Sequence, residues 1–273
     1  MTLEALFQNQ HNLPTAPRVV EELIRSFDDA GVSVEEISRK LATDPVLSAK
    51  LLRLANSAYY HVSRSIGTVD DAVMMLGFVT VRTLVISAGL VGGFKTVPGL
   101  DLKQFWRYNL HTAVAAKWIA KKAGENTDLA FTIGMMHAIG QLVMHVAAPA
   151  AMAALDQETG PLAPGRIEAE RAALGYSYAD AGAELALRWK FPQVFFDTIA
   201  AFPAPPPQSR LAGVIHLAAW RARLDENKLS ADEVTASYPQ ALAESLGLGA
   251  LALHEAMPPL GELAAGLDEL VHT

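Results

Sequence analysis

At 273 residues, with 51% hydrophobic and 19% charged side chains, the chain holds enough apolar material for one large domain or two small ones and is not a disordered tail. Its 22 Lys and Arg against 29 Asp and Glu leave a formal charge of −7, which argues against general electrostatic capture of DNA, RNA or anionic lipid. With no cysteine, the chain has no disulfide, thiolate metal site, iron–sulfur cluster or cysteine nucleophile.

The N-terminal stretch Met1 to Asn12 carries Glu4 and no apolar core of signal-peptide length. The longest apolar stretches, Thr83 to Phe94 and Leu142 to Leu155, are shorter than the roughly 20 residues of a membrane helix, and Pro149 interrupts the second. The expectation is a soluble, cytoplasmic protein with neither a membrane nor a nucleic acid as partner.

In chain order the periodicity is helical almost throughout. Ser33 with Glu36 has the form of a capping box. Asp44-Pro45 starts the next helix, with Asp as cap and Pro at the first helical position. Leu47, Leu51, Leu54, Ala55 and Ala58 then form one buried stripe. Thr68 with Asp71 opens a helix with Val69, Ala72, Val73 and Leu76 as its apolar positions, ended by Gly77. A helix over about Val79 to Leu90 follows, then a loop through Gly92-Gly93 and Pro98-Gly99. The spacing predicts a long helix from Leu102 to Ala123, with Phe105, Val114, Trp118 and Ile119 in the core. Thr127 caps a helix carrying Ala130, Ile133 and His137. The Ala-rich stretch Ala147 to Ala154 suggests tight helix packing, and Pro161 to Gly165 is a loop. Ala204 to Pro207 is the most Pro-rich segment and the best candidate boundary. A helix from about Ser209 to Leu224 and one capped by Ser230 and Glu233 complete the chain. No run alternates as a strand would, so the fold class is all-α, with two packed helical subdomains over residues 1–98 and 99–273.

Catalytic motifs are mostly absent. There is no phosphate-binding glycine loop, dinucleotide fingerprint or nucleophile elbow, and the basic residues form no stripe. One constellation stands out: His111 on the long helix and His137-Ala138-Ile139-Gly140 on the next. Two neutral imidazoles on adjacent helices can hold a metal, but a hydrolytic site needs at least three protein ligands and an open position. Ala138 has no ligand atom. The alternative is that both histidines are packed residues, His111 beside Val114 and Trp118, His137 beside Ile133 and Ala130.

Several stretches, in order, resemble the HDOD domain, the output-domain branch of the HD superfamily. They are Leu13-Pro14-Thr15-Ala16-Pro17, Asp44-Pro45-Val46-Leu47, Leu51-Leu52-Arg53-Leu54-Ala55-Asn56-Ser57-Ala58, Ala72-Val73-Met74-Met75-Leu76-Gly77, and Gly182-Ala183-Glu184-Leu185 with Trp189 and Pro192. The likeness covers about residues 12–204. It implies the α-helical bundle of the HD superfamily. Catalytic relatives hold metal through a His, a His-Asp pair, further histidines and a late Asp. By this resemblance His111 matches the first His, His137 the His of the pair, and Ala138 stands where the Asp would be. Tyr178 stands where a later His is often found, Ala200 and Ala201 fall near a His-His position, and Ala219 lies near the late Asp. The resemblance therefore implies a bacterial regulatory module without catalysis, metal or other cofactor, acting in trans on signalling proteins. The alternatives are a metal-dependent phosphohydrolase acting on a nucleotide or cyclic dinucleotide, and a small-molecule sensor that reuses the vestigial cleft.

Candidate binding residues are Arg53, Asn56 and Ser57. Either they lock a helix end between the subdomains, or Arg53 and Asn56 line a groove for a partner or ligand. Tyr59 and Tyr60 beside them suit either an interface or half-buried packing. Arg82 and Arg107 are open to an anion or to a carboxylate such as Asp70 or Asp71. His216, Trp220 and Leu224 share one helical face. That face packs back on the bundle or, in the alternative, forms a homodimer contact.

Overall fold

Apolar residues at helical spacing dictate the architecture, and among the described residues every regular element is a helix. The structure, a computed structural model, describes residues 2–8, 18–26, 33–249 and 256–271. The Leu13 to Pro17 motif lies outside them.

The first half holds α1 (Leu3–Leu6), α2 (Arg18–Arg25), α3 (Val34–Ala42), α4 (Pro45–Ala55), α5 (Val69–Leu76) and α6 (Phe78–Gly93). Local chemistry sets their ends. The Asp44 carboxylate accepts from the N–H groups of Val46 and Leu47, both at 3.0 Å, and Pro45 needs no partner there. Ser33 makes half of its box: its Oγ accepts from Glu36 N, but the Glu36 carboxylate turns to Lys40 at 2.8 Å instead of reaching back. α4 stops at Ala55, so Ala58 leaves the stripe and is exposed, while Leu47, Leu51, Leu54 and Ala55 are buried. Gly77 ends α5 at φ +81°, where a side chain would be strained. Gly92 and Gly93 prolong α6 instead of forming a loop, because the buried run through Val91 carries the helix on.

The second half is built around α7 (Leu102–Ala123), which packs along α8 (Thr127–Met136) and α14 (Arg210–Asn227). Asn126, not Thr127, caps α8. Its Oδ1 accepts from Asp128 N and Leu129 N, and Thr127 becomes the first helical residue. α9 (Ile139–Ala147), α10 (Pro149–Glu158), α11 (Arg166–Leu174), α12 (Tyr178–Arg188) and α13 (Gln193–Ala201) follow, and α12 lies against α9 and α13. α9 and α12 meet backbone to backbone. A Cβ on Gly140 would fall 1.9 Å from the Tyr178 carbonyl oxygen and 2.6 Å from Gly182 N. Two glycines of the sequence motifs thus make one crossing. The alanines of α10 do not pack tightly: Ala150, Ala151, Ala153 and Ala154 are exposed, and only Met152 and Leu155 face inward. Alanine serves helix propensity there.

The Pro-rich Ala204 to Pro207 segment joins α13 to α14 without separating a unit, since α14 continues the same core. α15 (Ala231–Ser237), α16 (Gln240–Ser245), α17 (Leu260–Leu263) and a final 3₁₀ turn (Asp268–Leu270) complete the chain. That turn returns to α4 and α6, and α17 lies on α7. One cluster of buried apolar side chains runs from Leu6 to Leu270. The division between residues 98 and 99 falls in the α6–α7 connection. One helical run among the described residues, Thr127–Ala147, is long and apolar enough to cross a membrane, and it is 89% buried inside the protein. It exceeds the stretches singled out from the sequence because α8 and α9 read almost continuously through His137.

Candidate functional site

His137 sits where α8 gives way to α9 and is fully buried. Its Nδ1 lies 2.8 Å from the Gly134 carbonyl, which only accepts, so Nδ1 carries the proton. Nε2 is then an acceptor, and the Tyr108 hydroxyl donates to it at 3.1 Å. The Tyr108 oxygen in turn accepts from Arg223 Nε at 3.2 Å. The relay Arg223–Tyr108–His137–Gly134 therefore uses both imidazole nitrogens. Burial pushes His137 down to about 3, with the Gly134 carbonyl opposing and the Arg223 charge reinforcing the shift. Phe202 closes the ring edge at 5.4 Å between centroids.

His111 lies one turn beyond Tyr108 on α7 but finds different surroundings. Its Nδ1 is buried with no hydrogen-bond partner among the described residues, and burial lowers its pKa against the raising influence of Glu226. Ala138 is fully buried, Tyr178 nearly so, and Ala219 fully; Ala200 and Ala201 are half-buried. Among the described residues no three His, Asp or Glu side chains gather as metal ligands. A hard divalent ion needs oxygen donors and at least three protein ligands. Around His137 the neighbours are alanine, phenylalanine and a tyrosine that already holds Nε2. These residues do not fit a hydrolytic metal.

A cavity of about 160 Å³ opens next to the relay. Tyr108, Tyr178, His216, Arg223 and the first turn of α11 line it. His216 donates from Nδ1 to the Phe202 carbonyl at 2.9 Å, and burial lowers its pKa. Arg166, also on the lining, is 2% exposed and held by Glu170 at 2.8 Å, by Asp156 at 2.7 Å and by the Thr159 carbonyl. Glu170 also accepts from Tyr178 N at 2.6 Å, which ties α11 to the start of α12. The sequence reading did not single out Arg223, Tyr108 or Phe202. Helical spacing carries a signal for two of them. Tyr108 shares a face with His111, three residues on, and Arg223 follows His216 by seven.

Arg53, Asn56 and Ser57 lie in the other half of the chain, at the end of α4. Asn56 donates from Nδ2 to the carbonyls of Leu52 and Ile66, at 2.7 and 2.8 Å, and its Oδ1 accepts from Ile66 N at 2.7 Å. Its amide thus joins the end of α4 to the following loop. Ser57 Oγ is buried without a hydrogen-bond partner among the described residues. Arg53 is 64% exposed and pairs with Glu269 of the last turn at 2.7 Å. Tyr59 and Tyr60 are half-buried, edge to face. Arg107 grips Glu226 with two bonds, at 2.8 and 2.6 Å, and Asp71 pairs with Arg64. Arg82 donates to the Ser26 carbonyl. Of the face shared by His216, Trp220 and Leu224, the last two pack on Val234 within the same chain.

Comparison with known proteins adds to this geometry. A candidate phosphohydrolase from Shewanella amazonensis SB2B has a crystal structure 34% identical to this chain, with a TM-score of 0.77 over 98% of this chain and 97% of that one. A Geobacter sulfurreducens HDOD domain protein of unknown function is 25% identical, with the same TM-score and the same coverage. An uncharacterised protein of Treponema pallidum (strain Nichols) is 26% identical over 192 residues, 69% of this chain and 37% of that protein. The chain thus spans little more than a third of that relative's length. The pattern that defines the HDOD domain matches residues 13–205. The ordered motifs, the helical fold and that match agree: the chain belongs to the HDOD domain family.

Proposed function

We propose that this chain is a non-catalytic regulatory module of bacterial signal transduction, acting in the cytoplasm by presenting a helical surface to a partner protein. The observation that carries the reading is the state of His137. Its two nitrogens are held by Gly134 and Tyr108, and the adjacent position is Ala138. Such a centre lacks the means to bind and activate a metal-bound water.

A partner surface has support of its own. Of the large apolar side chains left exposed, Val34, Val46, Met74, Met75 and Val79 lie on α3 to α6, with Met74 at 76% and Val46 at 64%. Exposed methionine suits adaptable interfaces. In this reading Arg53 belongs to the presented surface, and Asn56 and Ser57 hold the loop beside it. Affinity capture of the tagged protein from its native lysate tests this. The expected result is a stoichiometric signalling protein whose recovery falls in Met74→Asp and Arg53→Ala. Recovery indifferent to both variants overturns this surface. Sedimentation at twice the protomer mass would make a second copy the partner.

The competing reading is a metal-dependent phosphohydrolase on a nucleotide or cyclic dinucleotide, since the Shewanella relative is named as a candidate phosphohydrolase. The donor set argues against it. Turnover of such substrates by the purified protein with Mn²⁺ or Mg²⁺, abolished in His137→Ala, overturns the non-catalytic reading.

A further inference from the structure

The arginines of α7, α11 and α14 divide sharply. Arg107 pairs with Glu226, Arg166 with Asp156 and Glu170, Arg171 with Asp180, Arg210 with Glu125, and Arg221 with Asp225. Arg223 is half-buried, yet among the described residues no carboxylate lies within 4 Å of it. Its one hydrogen bond there runs from Nε to the neutral Tyr108 hydroxyl. Both terminal guanidinium nitrogens are left over, in a side chain that lines the cavity. Glu168 acts on this charge only from beyond ion-pair distance, and a partly desolvated guanidinium with no carboxylate in contact is costly, while its planar fork suits an oxyanion.

Two further features converge on the same space. Tyr178 is 4% exposed and lines the cavity, but its hydroxyl has no hydrogen-bond partner among the described residues. The first turn of the nine-residue α11 also lines it. Gly165 is the N-cap there and offers no side-chain cap, so the helix start presents N–H groups and the positive end of its dipole. His216 adds Nε2, since Nδ1 is held by Phe202. The one acidic group on the lining is Glu168, exposed at the rim. The space of about 160 Å³ has room for a tetrahedral oxyanion.

We propose that this cavity is a phosphoryl-binding site, in which Arg223, the Tyr178 hydroxyl and the α11 N-terminus hold a phosphate group, either free or as the terminus of an organic phosphomonoester. Glu168 opposes it from the rim and sets its affinity. The site holds whether or not the chain signals through a protein partner, so its failure would leave that reading standing.

Calorimetric titration of the full chain with inorganic phosphate, and separately with adenosine 5′-monophosphate, tests this at constant ionic strength with chloride as the balancing ion. Saturable one-to-one binding is expected. Tyr178→Phe keeps the ring and loses one charge-assisted bond, so affinity should fall about tenfold. Arg223→Gln keeps a donor for Tyr108 but removes the charge, and should weaken binding at least as much. Glu168→Gln, on the surface, should tighten it about threefold. Tighter binding of the nucleotide than of phosphate assigns the phosphoryl group to an ester, and the reverse order assigns it to the free ion. Absence of saturable binding for both probes at millimolar concentration overturns the proposal. So does binding that Tyr178→Phe and Glu168→Gln leave unchanged.

Discussion

Acidification puts the relay around His137 to a quantitative test. The unfolded chain takes up a proton on this imidazole near the ordinary value of 6.5, whereas burial holds the folded chain's value at about 3. Between those values the unfolded state binds more protons, so the stabilisation is complete above pH 6.5 and is lost progressively as pH falls toward 3. Each pH unit in that window is worth about 1.4 kcal/mol, and moving from pH 7 to pH 5 removes about 2 kcal/mol through His137 alone. His111 and His216, both lowered by burial, act in the same direction. The carboxylates with lowered values, Glu36, Glu226 and Glu233, start from 4.5 and contribute mainly below pH 5. Urea denaturation followed by circular dichroism at pH 7.0, 6.0 and 5.0 reads the slope. In His137→Gln the protein should be less stable at pH 7, but its loss of stability from pH 7 to pH 5 should be smaller by about 2 kcal/mol. Equal stability of the parent protein at pH 7 and pH 5, or the same loss in parent and variant, would refute the buried neutral imidazole.

Three other perturbations have defined outcomes. Gly140→Ala drives a methyl into the Tyr178 carbonyl across the α9–α12 crossing, and the expected result is insoluble protein or a loss of about 3 kcal/mol or more in urea denaturation. Asn56→Ala removes three hydrogen bonds and strands the backbone of buried Ile66, which should cost about 2 kcal/mol by the same assay. Arg53→Ala breaks a pair that is exposed on both sides, so its stability should change by less than about 1 kcal/mol.

The legible part of this fold was the part that local chemistry controls. Asp44-Pro45, Thr68 with Asp71, and the Leu102 to Ala123 helix stand where the sequence puts them, because caps and long apolar periods need no tertiary information. Choices between neighbours were harder. Asn126 displaces Thr127 as cap, and Glu36 prefers Lys40 to its own helix start, since each residue suits more than one local partner. His137 was legible as a special position, and Ala138 as a missing ligand. What occupies His137 instead was not, because Tyr108 and Arg223 arrive from helices 29 and 86 residues away in sequence. The cavity was hidden for the same reason. It is assembled from the starts of α11 and α12 and the middles of α7 and α14, and no single segment carries its pattern.

The most direct test of a non-catalytic cleft is metal content. The purified protein is equilibrated with excess Mn²⁺, Zn²⁺ or Mg²⁺, desalted and analysed by inductively coupled plasma mass spectrometry, with His137→Ala in parallel. The account predicts metal far below one ion per chain in both proteins. One ion retained per chain and lost in His137→Ala would contradict it.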